Sequence, residues 1–320
     1  MAHSDSIGTS TALVEYAGPL FFIGAQYQQT PLLTMTGGLT GGRVVGTDTY
    51  PMGNFLTLDA ASATYTVTED AASTAPASDI YAASQVYNYI ELHQRAFEIT
   101  YKSASMSGVI SGEAVINMGT TNTKDPQTQR MAHLAQLAID LEYSMLLGAG
   151  TDPSSSATNG KTTGIVTAVD ADGSTEVDAS SAALSKDLME SLEAAVLAAT
   201  GAMLKPVILC GAYIKQRLND LYGFSPESYT IGGVRLDTVN LPTLGPCGVA
   251  YDPVITSSVL LLADVAKIAP VFMPVPGKPA VFFEPLSKTG AGDKEQLYCQ
   301  FGVDYGNADW HGIIKGLATS

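Results

Sequence analysis

Between residues 126 and 147, apolar side chains recur at i, i+3, i+4 and i+7, the spacing of one face of an α-helix. They are Met131, Leu134, Ala135, Ala138, Leu141 and Met145. Asp125 can cap the first turn, Pro126 suits the first helical position, and Gly148 ends the pattern. At about 1.5 Å per residue, the predicted helix Pro126–Leu147 is long enough to cross a domain.

Two shorter helices are predicted on either side of a buried strand. Ser185 can cap the first of them, and Gly201 lies just beyond its end. The apolar run within Pro206–Cys210 predicts the strand, and Ala212–Tyr222 predicts the second helix, which Gly223 closes.

Short β-strands account for most of the remaining pattern. The C-terminal part of the chain contains these strand-like runs: Val234–Leu241, Val259–Ala263, Val281–Glu284, Gln296–Asp304 and Trp310–Ile314. An earlier run, Gly164–Val169, is also predicted as a strand, followed by a hairpin turn at Asp172-Gly173. A β-rich start, two or three helices and a β-rich end predict the α+β class.

Residues 43–104 have the pattern of a long β-hairpin. Strand-like runs at Thr64–Thr68 and Ile90–Lys102 flank Glu69–Ser84, which has no long aliphatic run. A two-stranded hairpin is at best marginally stable alone in water, so we expect it to lie on a neighbouring subunit. Residues 1–42, low in charge and rich in Thr and Gly, are predicted to form an extended arm.

Charge narrows the possible functions. Charged residues make up only 15% of the chain, the net charge is −15, and the first Lys or Arg is Arg43. A protein that reads nucleic acid needs a stripe of Lys and Arg to displace phosphate counterions, and no such stripe is visible. No basic run suits an anionic membrane surface either.

Cysteine usage and the N-terminus predict a cytosolic origin. Cys210, Cys247 and Cys299 lie far apart and form neither a CxxC motif nor a disulfide framework. The N-terminus lacks the basic region of a signal peptide. The apolar stretch Leu13–Ala25 contains Glu15 and is too short to span a bilayer.

Two segments resemble ligand-binding motifs but lack required parts. Gly160-Lys161-Thr162 resembles the end of a phosphate-binding loop, yet Ser155 stands where the first Gly is needed. The segment also follows a predicted helix and precedes a predicted strand, the reverse of the required order. Asp170, Asp172 and Gly173 resemble a calcium loop, but the Gly is at the wrong position.

Other catalytic and metal-binding patterns are missing from the sequence. His3, His93, His133 and His311 are scattered, without the short-range pair that is the usual sign of a metal site. No Gly-x-Ser-x-Gly elbow is present. We therefore expect a protein without cofactor, metal or catalytic site.

The order of these parts resembles that of the major capsid proteins of tailed double-stranded DNA bacteriophages, which have the HK97-type fold. The sequence is most similar to the branch typified by phage SU10, over most of residues 86–148 and 260–319. The segments that carry the resemblance are Asn88–Leu92 with Met106–Gly108, Gln129–Arg130 with Asp140–Tyr143 and Leu147–Gly148, and Asp304–Ala308 with His311–Leu317.

The resemblance implies an icosahedral shell of hexamers and pentamers around double-stranded DNA. Partners would be the chain itself and decoration, portal and scaffolding proteins, with assembly in the bacterial cytoplasm. It also implies these domains: an N-arm at 1–42, an E-loop at 43–104, a P-domain at 105–183 and 264–312 with a spine helix at 126–147, and an A-domain at 184–263 and 313–320.

Six side chains are predicted to contact a neighbouring subunit: Tyr81, Tyr87, Tyr89, Arg95, Asp140 and Glu142. Tyr and Arg are enriched at interfaces, although ordinary hairpin side chains are the alternative for each. Asp140 and Glu142 are two positions apart on a helix and cannot face the same way. We expect them to be solvated charges or ion pairs to a neighbour.

Other classes of protein remain as alternatives. An encapsulin shell subunit would share the fold and differ in its cargo. A tail-tube or sheath subunit, a β-rich binding module and an enzyme are the further alternatives. The long helix disfavours the binding module, and no convergent polar site favours the enzyme.

Lysine placement predicts how subunits are joined. Some HK97-type shells are cross-linked through an E-loop lysine, but no lysine precedes Lys102 in this chain. We expect assembled particles to run as one monomer band on a denaturing gel, because their contacts are non-covalent. A ladder of covalent multimers would contradict this expectation.

Overall fold

The computed structural model of the chain describes residues 30–56, 80–102, 126–154 and 158–319. Its α-helices are α1 (Pro31–Met35), α2 (Pro126–Leu147), α3 (Ile165–Asp172), α4 (Lys186–Thr200) and α5 (Ala212–Tyr222). The first strands are β1 (Arg43–Val44), β2 (Thr49–Leu56), β3 (Ala83–Tyr89), β4 (Glu91–Thr100), β5 (Glu176–Asp178), β6 (Pro206–Cys210) and β7 (Ser225–Ile231). The later strands are β8 (Val234–Leu241), β9 (Gly245–Tyr251), β10 (Leu260–Asp264), β11 (Ala269–Phe272), β12 (Val281–Pro285), β13 (Gly292–Asp304) and β14 (Gly312–Lys315). Short 3₁₀ helices occupy Val265–Lys267 and Ala308–Trp310.

A five-stranded sheet is organised around its longest strand, β13. On one side β13 pairs antiparallel with β4, from Gly292 opposite Thr100 to Phe301 opposite Glu91. On its other side it pairs with β12 and then with β11, and β1 extends the sheet beyond β11 in parallel. The helix α2 packs on this sheet.

A seven-stranded sheet has the strand order β5-β14-β10-β6-β9-β8-β7. Its central strands are buried on both faces. Along β6, Val207 and Leu209 face the core shared with α1, α2 and α3, whereas Ile208 and Cys210 face the core beneath α4 and α5. The alternation follows from the two-residue side-chain period of a strand, and it explains why the strand reads as a continuous apolar run.

The helix boundaries follow the local signals in the sequence. The spine helix α2 spans Pro126–Leu147 as predicted, while its expected cap, Asp125, lies outside the described residues. The Ser185 Oγ accepts a hydrogen bond from the Leu188 N–H at 3.3 Å and caps α4. Gly201 and Gly223 follow α4 and α5 with φ angles of 76° and 70°, which side chains with a Cβ rarely adopt.

The apolar face of α2 is buried chiefly in its C-terminal half. Leu137, Leu141 and Met145 are buried, but the predicted core residue Met131 is 43% exposed. Where α2 ends, the Gly164 N–H donates to the Gly148 carbonyl at 2.8 Å. A Cβ on Gly148 would lie 2.5 Å from the Thr162 carbonyl oxygen, so this crossing requires glycine.

The predicted strand Gly164–Val169 is wrong, because this segment begins α3. Ile165, Val166, Ala168 and Val169 are buried, at spacings that place them on one helical face. Asp172-Gly173 is likewise no hairpin turn. Gly173, at φ 73°, ends α3 and donates its N–H to the Val169 carbonyl. A short apolar run does not distinguish a buried strand from a buried helix.

The hairpin is present, but its strands differ from the predicted ones. β2 pairs with β3, whereas the run Ile90–Lys102 forms β4 and pairs with β13 in the five-stranded sheet. Thr64–Thr68 lies outside the described residues. Residues 176–178, which fall within the predicted P-domain segment 105–183, form β5 and pair with β14 in the seven-stranded sheet. The bounds of the four predicted domains stay a prediction.

His311 is a buried, neutral connector between the two sheets. Its Nδ1 accepts the Asp264 N–H at 3.2 Å, and its Nε2 lies 2.9 Å from the Tyr305 carbonyl oxygen. Because a carbonyl can only accept, Nε2 carries the proton and Nδ1 keeps its lone pair. Burial lowers the pKa of His311 to about 4.

We expect the free energy of unfolding to decrease as pH falls from 6.5, the ordinary histidine pKa, toward 4. In this window the unfolded chain binds a proton at His311 and the folded chain does not, which costs at most about 3 kcal/mol. Urea unfolding at several pH values measures the loss. The variant His311→Gln should be less stable at neutral pH but lose less between pH 6.5 and 4. Equal losses in both proteins would show that another group is responsible.

Candidate subunit interface

The hairpin β2–β3 is an antiparallel pair running from Thr49 opposite Tyr89 to Leu56 opposite Ala83. Its register shifts between Pro51 and Gly53, as at a β-bulge. Residues 57–79, which connect the two strands, are outside the described part of the chain.

The base of the hairpin is fixed to the five-stranded sheet by two buried side chains. The Tyr50 hydroxyl donates to the Val303 carbonyl at 2.8 Å. The Asn88 Nδ2 donates to the same carbonyl at 2.8 Å, and its Oδ1 accepts the Thr163 N–H at 2.8 Å. Burial raises the pKa of Tyr50 far above its usual value, so its hydroxyl remains a donor.

The outer part of the hairpin exposes apolar and aromatic side chains. Ile80 is 87% exposed, and Leu56 and Tyr81 are each about half exposed. Tyr87, opposite Pro51 and closer to the base, is also about half exposed. Tyr89, near the base, is half-buried. Exposed apolar and aromatic side chains grouped on one element are a common feature of protein–protein contacts. The three predicted tyrosines therefore all lie on this element, and their contact with a neighbour stays a prediction.

Trp310, the single tryptophan of the chain, packs against the hairpin. The ring of Phe55 on β2 meets the Trp310 ring edge-to-face, with 5.4 Å between centroids. The Lys267 ammonium lies over the same indole at 4.8 Å. This stack ties the hairpin to both 3₁₀ helices.

Arg95 and Asp140 pair with each other inside the chain. The Arg95 Nη2 is 2.6 Å from the Asp140 Oδ2, and Gln136 donates to the second carboxylate oxygen at 3.0 Å. The pair connects β4 to the spine helix at a partly exposed position. Its contact with a neighbouring subunit stays a prediction.

Glu142 is neither a solvated charge nor an exposed ion pair, so that expectation is wrong. Its side chain is 0% exposed. Its two carboxylate oxygens accept the Leu32 and Leu33 N–H groups at 2.8 and 2.7 Å. The N-terminal part of α1 therefore covers this side of the spine helix.

The phosphate-loop-like segment has a structural role. The Thr162 Oγ1 is buried and accepts the Val303 N–H at 3.2 Å. The helix α3 follows the segment, so the strand that was expected there is wrong. A phosphate-binding loop also needs a strand before it. Among the described residues, nothing longer than an isolated β-bridge precedes the segment. Asp48 and Glu91 line the same cleft as Lys161, a charge balance unsuited to phosphate.

Candidate metal ligands do not converge in the described residues, where no group of three or more His, Cys, Asp or Glu could hold an ion. His3 lies outside these residues. His93 lies 3.2 Å from Glu91, and His133 stacks on Phe97. The three cysteines are buried and unpaired, and burial raises the pKa of Cys210 and Cys299 to about 12. No helix in the described ranges is both long and apolar enough to cross a bilayer.

The fold is that of HK97-type capsid proteins, as comparison with solved structures shows. The capsid of a native GTA particle matches with a TM-score of 0.55 and 11% identity, over 99% of both chains. A structure from Mycobacterium phage Patience matches at 0.54 and 11%, over 92% of this chain and 84% of the other. The SrpI encapsulin from Synechococcus elongatus matches at 0.52 and 10%, over 87% and 86%.

Sequence comparison narrows this class to one family. The family model of the SU10 major capsid protein matches residues 7–318. The chain therefore belongs to the SU10 major capsid protein family and is a structural subunit of a phage capsid. No curated protein matches the sequence.

The side chains that hold the hairpin were not identified from the sequence. Asn88 lies within a segment that carries the family resemblance, but its contacts with Thr163 and Val303 join residues far apart in the chain. Tyr50 and Trp310 likewise act through distant partners. One feature could have pointed to Asn88: it is buried in a strand whose first residues, Ala83–Gln85, are exposed. This burial can be recognised only when the position of the strand in the fold is known.

We expect Asn88→Ala to destabilise the subunit by roughly 2–4 kcal/mol, because it removes the partner of the Thr163 N–H and one of the two donors to the buried Val303 carbonyl. Asn54→Ala, at an exposed position on the other strand, is the matched control and should cost under about 0.5 kcal/mol. Urea unfolding measures both. Equal effects of the two substitutions would show that the Asn88 contacts do not support the fold.

Proposed function

We propose that the chain assembles through hexamers and pentamers into an icosahedral shell around double-stranded DNA. The observation that carries this proposal is the hairpin itself. Its base is fixed by buried hydrogen bonds, yet its outer part exposes apolar side chains that the described part of its own subunit does not cover. In the proposed shell that surface lies on the adjacent subunit, through Tyr81, Tyr87 and Tyr89.

The role proposed for the chain is structural and not catalytic. Its acidic character supports this role, because a net charge of −15 repels DNA and lets the shell enclose it without binding particular sequences. Assembly in the bacterial cytoplasm, with separate scaffolding, portal and decoration proteins, belongs to the same proposal. So do the N-arm, E-loop, P-domain and A-domain bounds given above.

An encapsulin-like shell is the second candidate, because the SrpI encapsulin shares the fold. The two candidates differ in their contents. Particles purified from the natural source should contain double-stranded DNA if the first proposal holds. Particles filled with a protein cargo and free of DNA would favour the second.

Electron microscopy and sedimentation of the purified chain test assembly. We expect closed particles or rings of six subunits. The double variant Ile80→Ser, Tyr87→Ser should raise the concentration needed for assembly at least about tenfold, since each buried apolar side chain contributes roughly 1.5–3 kcal/mol.

The unfolding free energy of this double variant should stay within about 1 kcal/mol of the parent, because both side chains are exposed in the subunit. Leu204→Ser, at an apolar position that is 69% exposed outside the hairpin, is the control and should affect assembly less. A parent chain that stays monomeric at high concentration would refute assembly. Normal assembly of the double variant would refute the hairpin contact.

A further inference from the structure

Two buried carboxyl groups meet where three parts of the chain converge. Glu142 comes from the spine helix α2, and Asp252 directly follows β9. Both side chains belong to residues that are 0% exposed. Within the described residues, neither carboxyl group has a lysine, arginine or histidine at ion-pair distance.

Glu142 holds the first turn of α1. Its two oxygens accept the Leu32 and Leu33 N–H groups, which have no partner within the helix itself. At the other end of α1, a Cβ on Gly232 would lie 2.6 Å from the Met35 carbonyl oxygen. The short helix is therefore fastened at one end by a carboxyl group and at the other by close backbone contact.

Asp252 has one oxygen satisfied and one oxygen available for Glu142. Its Oδ1 accepts the Val254 N–H at 2.8 Å. Its Oδ2 is buried and has no N–H or hydroxyl partner among the described residues. The side chains of Glu142 and Asp252 are in hydrogen-bonding contact with each other.

A contact between two carboxyl groups requires a proton. Ionised carboxylates only accept hydrogen bonds, so one group of the pair must be protonated to donate to the other. Two buried, uncompensated negative charges would also repel each other strongly. Burial raises the pKa of Glu142 well above its ordinary range and that of Asp252 to about 6, in keeping with a retained proton.

We propose that Glu142 and Asp252 share one proton and form a proton-linked clamp that fastens helix α1 to the spine helix. With the proton in place, the pair carries a single negative charge, the Glu142 oxygens accept the α1 N–H groups and the two carboxyl groups are held together. Loss of the proton places two like charges in contact, which separates the carboxyl groups and loosens α1. This proposal does not depend on capsid assembly.

The titratable groups around the pair do not compensate its negative charge. The segment Pro31–Met35 contributes no titratable side chain. On α2, Asp140 is engaged with Arg95, and Tyr143 is exposed.

From β6, the Cys210 carbonyl accepts the Asp252 N–H, and the buried Cys210 thiol has a raised pKa and stays neutral. The Lys215 ammonium has an electrostatic effect on the Cys210 thiol, and it forms an ion pair with Asp237. None of these groups supplies a positive charge to the pair, so the clamp is closed while the pair holds its proton and opens as pH rises.

Hydrogen exchange and infrared spectroscopy on the full chain test the clamp. Exchange protection of a peptide covering residues 30–36, relative to the unstructured rate at each pH, should fall by up to about tenfold per pH unit over the range in which the closed pair holds its proton and the separated carboxyl groups have lost it. A peptide covering β6 should keep its protection. The infrared band of a protonated carboxylic acid should be present at neutral pH.

Asp252→Asn separates the clamp from an ordinary structural contact. Its amide keeps an oxygen for the Val254 N–H and supplies the donor to Glu142 permanently. We expect the carboxylic-acid band to disappear and the protection of residues 30–36 to become independent of pH.

The control is Glu193→Gln. Glu193 is also 0% exposed and accepts two backbone N–H groups, from Thr243 and Leu244, far from α1 in sequence. This variant should keep both the band and the pH dependence at residues 30–36.

Two results would overturn the proposal. One is a carboxylic-acid band that is absent from the parent or unchanged in Asp252→Asn. The other is the same pH dependence of α1 protection in Asp252→Asn as in the parent. If Asp252→Asn fails to fold, Glu142→Gln serves in its place, since its amide donates to Asp252 while its oxygen retains one α1 N–H group. The same two criteria apply to it.

Discussion

The backbone of Val303 fixes how the hairpin, the loop after the spine helix and the five-stranded sheet meet. Its carbonyl accepts both the Tyr50 hydroxyl and the Asn88 amide, and its N–H donates to Thr162. These groups are buried, so a missing partner would cost the full desolvation of the group left behind. The orientation of the hairpin base is therefore set by directional bonds, while its outer part carries side chains suited to burial elsewhere. A capsid subunit needs both properties, because each contact is repeated around the shell.

Although the chain has few charged residues, several of its carboxyl groups are buried and accept hydrogen bonds from the backbone. Glu142 and Glu193 each accept two backbone N–H groups, and Asp264 accepts the N–H groups of Leu204 and Lys205. Each joins segments distant in sequence at positions that regular hydrogen bonding does not reach. Charged side chains are thus used inside the subunit to satisfy its connections. The central strands of the seven-stranded sheet, apolar on both faces, supply most of the surrounding core.

The sequence predicted the elements that local chemistry determines. Proline and glycine mark both ends of α2, and Ser185 with Gly201 marks α4, so these helices were placed correctly. The segment Gly164–Val169 was misassigned because four apolar residues in six suit a buried helix as well as a buried strand.

The pairing of β4 with β13 joins residues about 200 positions apart, and no local pattern sets that register. Glu142 was expected at the surface for the same reason, since its partners belong to α1 and to the segment after β9. Nonlocal contacts thus account for the errors in the hairpin strands and at Glu142, whereas the error at Gly164–Val169 is local.

The position of Trp310 gives the chain a built-in optical probe. It is the single tryptophan, so fluorescence excited at wavelengths that only tryptophan absorbs comes from this one side chain. That indole touches Phe55 of the hairpin on one side and the Lys267 ammonium on another. Its emission is therefore sensitive to the packing of the hairpin against the subunit body, and the seating of the hairpin is observable without any label.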